Sequence, residues 1–230
     1  DGFGRGVIAA LEAQGLIRRD PVLANPLPGL PVLSPEAGVL SELEPQRALT
    51  TAQAAALEAI ERAAPGDCLL LWGVTGAGKT EVYLQAAARE WNRGRSVLVL
   101  APEIGLIPQL LDRCRARFGS RVIEYHSGMG DGERAEAWRL CLAAAANRQP
   151  LLAVGTRSAV FLPLDPLGLI VLDEEHDPSY KQESPMPCYH ARDVARLRAR
   201  LSGARVLLGS ATPSLETWLH CRDASDPESI

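Results

Sequence analysis

Leu69–Tyr83, LLLWGVTGAGKTEVY, decides how the chain is read. Leu69-Leu70-Leu71-Trp72 is a short apolar run of strand length. It breaks at Gly73, turns through Val74-Thr75-Gly76-Ala77-Gly78, and opens a helix at Lys79-Thr80-Glu81. This is G-x-x-x-x-G-K-[ST] in the setting the pattern needs, a strand before it and a helix after. Glycines leave the backbone room to approach a phosphate. The loop N–H groups and the positive end of the helix dipole both face that anion. Gly73, Val74, Thr75, Gly76, Ala77, Gly78, Lys79 and Thr80 are therefore the expected nucleotide-phosphate contacts. Lys79 is placed at the β/γ-phosphates, and Thr80 offers its hydroxyl to Mg²⁺.

The rest of the chain repeats the strand-then-helix alternation. Helices are expected from Thr50/Thr51 to Pro65-Gly66 and over Lys79–Trp91, Leu106–Phe118, Asp131–Asn147, Ala191–Leu201 and Ser214–Cys221. Strands are expected at Ser96–Leu100, Arg121–Tyr125, Leu151–Val154, Leu169–Leu172 and Arg205–Leu208. Continuous apolar strands separated by helices imply an α/β fold with a parallel sheet covered on both faces. Ligands of such sheets sit beyond the carboxyl ends of the strands, so the polar clusters that follow each strand should share one rim.

Upstream, Gly6–Arg19 carries Val7, Ala10 and Leu11 on one helical face and ends near Gly15. It reads either as the tail of a winged-helix module or as a solvated amphipathic helix. Residues 20–45 are rich in proline, without steady periodicity, and read as a linker; residues 46–230 form the phosphate-loop domain. Gln53 is either a surface glutamine or a reader of adenine edges through its amide.

The 230 residues suffice for one α/β domain with extra, and 47% hydrophobic with 23% charged residues is ordinary for a globular protein. A formal net charge of −4 decides nothing about nucleic acid, because a basic groove can sit on an acidic chain. The five cysteines are scattered without a C-x-x-C pair, which suits a reduced, cytoplasmic protein and offers no zinc site or disulfide framework. No apolar run approaches the ~18–20 residues of a membrane span.

The second decisive cluster is Leu169–His176, LIVLDEEH. Asp173 follows a buried strand directly and is placed to hold Mg²⁺. Glu174 is placed to orient and deprotonate an attacking water. His176 reads equally as a link to a neighbouring loop or as a satisfied structural histidine. One strand later, Gly209-Ser210-Ala211-Thr212 sets small hydroxyls where they can bond back to the acidic loop.

Taken together, the blocks GVTGAGKTEVYL, LAPEIGLIPQL, YHSGMGDGERAEAW, VGTRSAVFLPL, LIVLDEEHDPSYKQE, YHARDVA and LLGSATPSLET resemble superfamily 2 DNA helicases and, within them, the primosomal protein N′ (PriA) family. The likeness spans about Leu49–Thr217. It implies a RecA-like lobe of an ATP-dependent 3′→5′ helicase of replication restart, acting on forked or single-stranded DNA with other primosome proteins. It implies ATP and Mg²⁺ as cofactors, an adenine contact for Gln53, a coupling role for Ser210 and Thr212, and DNA-backbone contacts for Thr156 and Arg157. The segment Pro178–His190 resembles the family's aromatic-rich loop, which assigns Tyr180, Lys181 and Tyr189 to DNA and its coupling. Pro185-Met186-Pro187-Cys188 departs from the family there, where a further aromatic and a basic residue are usual. The family also has a second lobe, which supplies an arginine finger, and a cysteine-rich zinc module; neither is visible in this chain. The expectation is therefore a fragment that hydrolyses nucleotide poorly alone. A small-molecule kinase on the same loop, or a non-catalytic binding module, are the alternative readings.

Overall fold

The computed structural model describes residues 47–221. The readings of residues 1–19 and 20–45 lie outside them. In chain order the elements are α1 (Thr51–Arg62), β1 (Cys68–Trp72), α2 (Lys79–Asn92), β2 (Ser96–Leu100), α3 (Ile107–Phe118), β3 (Val122–Tyr125), α4 (Asp131–Ala146), β4 (Leu152–Gly155), β5 (Leu167–Leu172), β6 (Lys181–Gln182), β7 (Tyr189–His190), α5 (Ala191–Ser202), β8 (Arg205–Ser210) and α6 (Leu215–Cys221). Six strands form one sheet in the order β1-β8-β5-β2-β4-β3, every neighbouring pair parallel. The ribbon β6–β7 is separate and antiparallel.

The sheet is buried on both faces, and the period of two in each strand divides the core accordingly. Val97 and Val99 of β2 face one cluster, with Tyr83 and Trp91 of α2 and Phe118 of α3. Leu98 and Leu100 face the other, with Ile170, Leu172 and Leu208. On that second face, Ala191, Ala195 and Ala199 recur every four residues along α5 and are buried, so the helix backbone lies close to the strands. Each fully buried Val or Leu adds roughly 1.5–3 kcal/mol of apolar burial, which is why the near-continuous apolar strands sit in the middle of the sheet.

Local signals set the starts of the helices. Thr50 and Gln53 form a reciprocal capping box at α1: the Gln53 amide N–H bonds Thr50 Oγ1 at 3.3 Å, and the Thr50 N–H bonds Gln53 Oε1 at 3.0 Å. Gly78 caps α2 in the left-handed region, with φ of 79°. Strand β5 begins at Leu167, earlier than the apolar run Leu169–Leu172 suggests, because Leu167 and Gly168 continue the strand without an unbroken run of large side chains. The loops after β1, β2, β4, β5 and β8 leave from the same rim of the sheet, since all five strands run the same way.

Candidate functional site

The phosphate loop closes on itself through its own lysine. Lys79 is 9% exposed, and its ammonium donates to the Gly73 carbonyl at 2.8 Å and reaches that of Val74 at 3.5 Å. It also stands 3.7 Å from Glu174 Oε1. Gly76 and Gly78 have φ of 82° and 79°, values that any Cβ would strain. A side chain on Gly78 would in addition strike the Gln53 amide nitrogen. The cavity in front of the loop holds about 570 Å³ and is lined by Thr75, Gly76, Lys79, Thr80, Asp173 and Glu174 among others.

Gln53 ties the start of α1 to the phosphate loop. Its Nε2 donates to the Ala77 carbonyl at 2.8 Å, while its Oε1 accepts the Thr50 N–H. Both ends of the amide are committed to the capping box and to the phosphate loop. The residue braces the loop, and one Nε2 hydrogen and one Oε1 lone pair remain outside these two bonds.

The acidic turn leaves β5 at Asp173. The Asp173 N–H bonds the Leu100 carbonyl at 2.9 Å, and its Oδ1 accepts from the Tyr83 hydroxyl at 3.0 Å. Burial pushes the Asp173 carboxyl above the usual range; the Tyr83 hydrogen bond and the Lys79 charge pull the other way, and neighbouring Glu174 adds to the rise. Burial, then the Asp173 charge, also drives the Tyr83 phenol well above its ordinary value. Glu174 is one of two described non-glycine residues in the left-handed region, at φ of 46°. Such backbone costs on the order of 1 kcal/mol and is retained where surrounding structure holds it. Here it turns the carboxylate toward Lys79 and to 3.8 Å from His176 Nδ1.

This donor set fits a divalent cation held with phosphates. A hydroxyl (Thr80) and a carboxylate (Asp173) line one cavity with Lys79. The charge that burial disfavours on Asp173 is the kind a cation offsets. Among the described residues no group of three or more His, Cys, Asp or Glu could hold a metal alone. A hard cation here would complete its shell with phosphate and water oxygens, as Mg²⁺ does.

His176 joins this turn to the end of β8. Its Nδ1 lies 2.8 Å from Ser210 Oγ and its Nε2 lies 3.4 Å from Thr212 Oγ1, while the Thr212 N–H bonds Ser210 Oγ at 3.0 Å. These contacts link the acidic turn to the end of β8 and also give both ring nitrogens a partner, so they fit both readings of His176. A second link escaped the sequence. Glu175 is 1% exposed and accepts from Ser214 N at 2.7 Å, Ser214 Oγ at 3.1 Å, Thr217 Oγ1 at 2.7 Å and Arg192 Nη1 at 3.4 Å. Its own N–H bonds the Gly209 carbonyl at 2.9 Å. The available signal was the third acidic position of DEEH, but no spacing pairs it with Arg192, Ser214 and Thr217. Tyr83 was likewise missed; it lies one helical turn beyond Lys79, which aims it at the neighbouring strand end.

The remaining predicted residues gather around the ribbon β6–β7. Arg157 follows β4, and its Nη1 donates to the carbonyls of Ser179 and Lys181 at 3.1 and 2.7 Å, with its guanidinium 5.9 Å from the Tyr189 ring centre. Thr156 precedes it, its N–H 3.3 Å from the Tyr125 carbonyl. Lys181 is exposed and pairs with Glu183 at 2.8 Å. Tyr189 is partly buried. Tyr180 does not stand with them: it is 0% exposed, its hydroxyl 2.9 Å from the Leu100 carbonyl and 2.7 Å from that of Asp173. A ring sealed in the core cannot stack on a base, so the DNA-contact reading of Tyr180 is corrected. It is a strut between the ribbon and the acidic turn.

Residues 50–219 match the DEAD/DEAH box helicase family. The chain belongs to that family. It is 53% identical over 182 residues to the replication restart protein PriA of Synechocystis sp., covering 78% of this chain and 21% of that protein. Against the PriA of Bacillus subtilis it is 47% identical over 173 residues, 74% of this chain and 21% of that one. The chain thus spans about a fifth of the length of these relatives. The structure of RecG bound to a three-way DNA junction superimposes with a TM-score of 0.54 at 21% identity, over 79% of this chain and 23% of that one; the likeness is one of fold. The α/β sheet and the resemblance carried by the motif blocks are borne out. In this DEAD/DEAH box helicase domain the box reads Asp173-Glu174-Glu175-His176, and among the described residues no helix is long and apolar enough to cross a membrane.

Proposed function

We propose that the chain is the nucleotide-binding lobe of a replication-restart helicase, which turns ATP hydrolysis into 3′→5′ movement along DNA. The observation that carries this reading is the closed circuit Lys79–Glu174–His176–Ser210/Thr212, which runs from the phosphate loop through the acidic turn to the end of β8. A kinase needs the first of these parts and has no use for the last.

In this reading Lys79 leaves the Gly73 carbonyl for the β/γ-phosphates, and the loop amides take the phosphate oxygens. Mg²⁺, when bound, neutralises developing phosphoryl charge. Thr80 and Asp173 would hold it, and Tyr83 fixes the Asp173 carboxylate through its hydroxyl. Glu174 holds the attacking water and accepts its proton. His176 senses the same turn and passes its position to Ser210 and Thr212. Thr156, Arg157, Lys181 and Tyr189 sit on the DNA-facing side. Forked or single-stranded DNA as substrate, and other replication-restart proteins as partners, rest on the similarity to the PriA relatives. Residues 46–230 are read as the lobe, with a cytoplasmic location.

The test is DNA-stimulated ATP hydrolysis by the full-length protein. Lys79→Ala abolishes it while the circular dichroism spectrum is unchanged. Undiminished hydrolysis in that variant overturns the assignment, and phosphoryl transfer to a metabolite without any effect of DNA would establish a kinase instead.

A further inference from the structure

With Tyr180 sealed in the core, another aromatic residue holds the exposed position beside the ribbon. Phe161 ends the single-turn helix Arg157–Phe161 that follows β4, and it is 49% exposed. Its ring meets Tyr189 edge to face, with centres 5.0 Å apart at 71°. Arg157 lies on the same Tyr189 ring at 5.9 Å. The three side chains make a contiguous cation–aromatic–aromatic cluster on the rim where the loop after β4 emerges.

The fold holds this exposed ring firmly. Ala159 and Val160, just before it, are fully buried. The Arg198 guanidinium donates to the carbonyls of Val160, Leu162 and Leu164, which clamps the backbone on either side of Phe161. Arg157 in turn fastens the ribbon that carries Tyr189. A shallow groove of about 320 Å³ continues from Phe161 over Leu162, Pro163, Val194 and Leu197. A large exposed aromatic is ordinary when it stands alone and mobile. One that is braced by an arginine from behind, paired with a second ring and set beside cations marks a binding surface.

We propose that Phe161 is a stacking platform for an unpaired nucleobase, with Tyr189 as its edge support and Arg157 as the positive charge behind the pair. The chemistry matches single-stranded nucleic acid: every base has a face that an aromatic ring can cover, and the adjoining backbone is an anion. Such recognition is indifferent to sequence. The inference rests on the DNA-binding reading above and adds a residue that reading lacked.

The experiment measures binding of the protein to a fluorescent oligothymidylate and to an abasic oligonucleotide of the same length. Phe161→Ala weakens oligothymidylate binding about tenfold and leaves abasic binding unchanged. Phe161→Trp keeps the affinity, and its added fluorescence is quenched by oligothymidylate alone. Equal weakening on both probes, or no weakening on either, overturns the stacking assignment while leaving DNA binding in place. A wild-type protein that binds neither probe overturns the DNA-binding reading and this inference with it.

Discussion

Replacing Glu175 by alanine removes the one carboxylate that faces Ser214, Thr217 and Arg192 together. The buried side chain accepts from the Ser214 N–H and hydroxyl, the Thr217 hydroxyl and the Arg192 guanidinium. Arg192 is itself nearly buried, and its Nε lies out of hydrogen-bond reach of any partner. Removal of Glu175 therefore leaves the nearly buried Arg192 guanidinium with only the exposed Asp193 carboxylate, 3.7 Å from its Nε, as counter-charge, at about 3–5 kcal/mol. That is a large part of the ~5–15 kcal/mol that stabilises an ordinary domain. For a chain of this size each kcal/mol moves Tm by about 2–4 °C, so Glu175→Ala should lower Tm by about 6–20 °C. Glu175→Gln keeps an acceptor for the Ser214 N–H and should lose about 1–3 kcal/mol. The double variant Glu175→Ala/Arg192→Ala removes the stranded charge as well, so its loss should be smaller than the sum of the two single losses by more than about 1 kcal/mol. Urea denaturation followed by circular dichroism gives all four numbers. A Glu175→Ala loss below about 1 kcal/mol, or strict additivity in the double variant, would refute the reasoning.

Two more outcomes follow from the neighbourhood of Asp173. Because burial raises its pKa in the folded chain, the ionised carboxylate opposes folding, and this cost develops as pH rises from the ordinary carboxylate range through the raised value. In the nucleotide-free protein, Asp173→Asn should be more stable than wild type near neutral pH. The difference should vanish in acid, where both folded and unfolded carboxyls hold the proton; thermal melts across pH check this, and a variant less stable at neutral pH contradicts it. Gly209 packs against the Tyr83 hydroxyl with no room for a Cβ. Gly209→Ala should cost about 1–3 kcal/mol by overpacking, and Tyr83→Phe in the same background should recover part of it, read by urea midpoints.

The sheet was legible because its strands carry runs of Val, Leu and Ile. Ser96–Leu100 matches the expected span at both ends, and α2, α3, α4 and α5 differ from it by one residue at an end. What escaped has physical reasons. The ribbon Lys181–Gln182/Tyr189–His190 consists of two-residue strands, too short for any periodicity. Tyr180 and Tyr189 are equivalent as letters in an aromatic-rich segment; only the tertiary fold puts the first under Leu100 and Asp173 and leaves the second near the surface. Gln53 stands beside the phosphate loop, where its amide also completes the capping box of α1, a double use that its spacing in the sequence does not reveal. Glu175 gathers partners from α5 and from the segment after β8, a long-range set that neighbouring letters do not reveal. The acidic turn, the phosphate loop and the hydroxyls of Ser210 and Thr212 were legible because each lies directly after its strand, and parallel strands deliver them to one rim.

The most direct test of the central claim separates nucleotide binding from turnover in the full-length protein. The structure places Glu174 next to Lys79 at the cavity, held by a left-handed backbone, while the loop that takes the phosphates is built without it. Glu174→Gln should therefore bind a fluorescent ATP analogue as wild type does, in the presence of Mg²⁺, and should hydrolyse ATP at least about 100-fold more slowly with single-stranded DNA present. Turnover within a few-fold of wild type in Glu174→Gln would contradict the account.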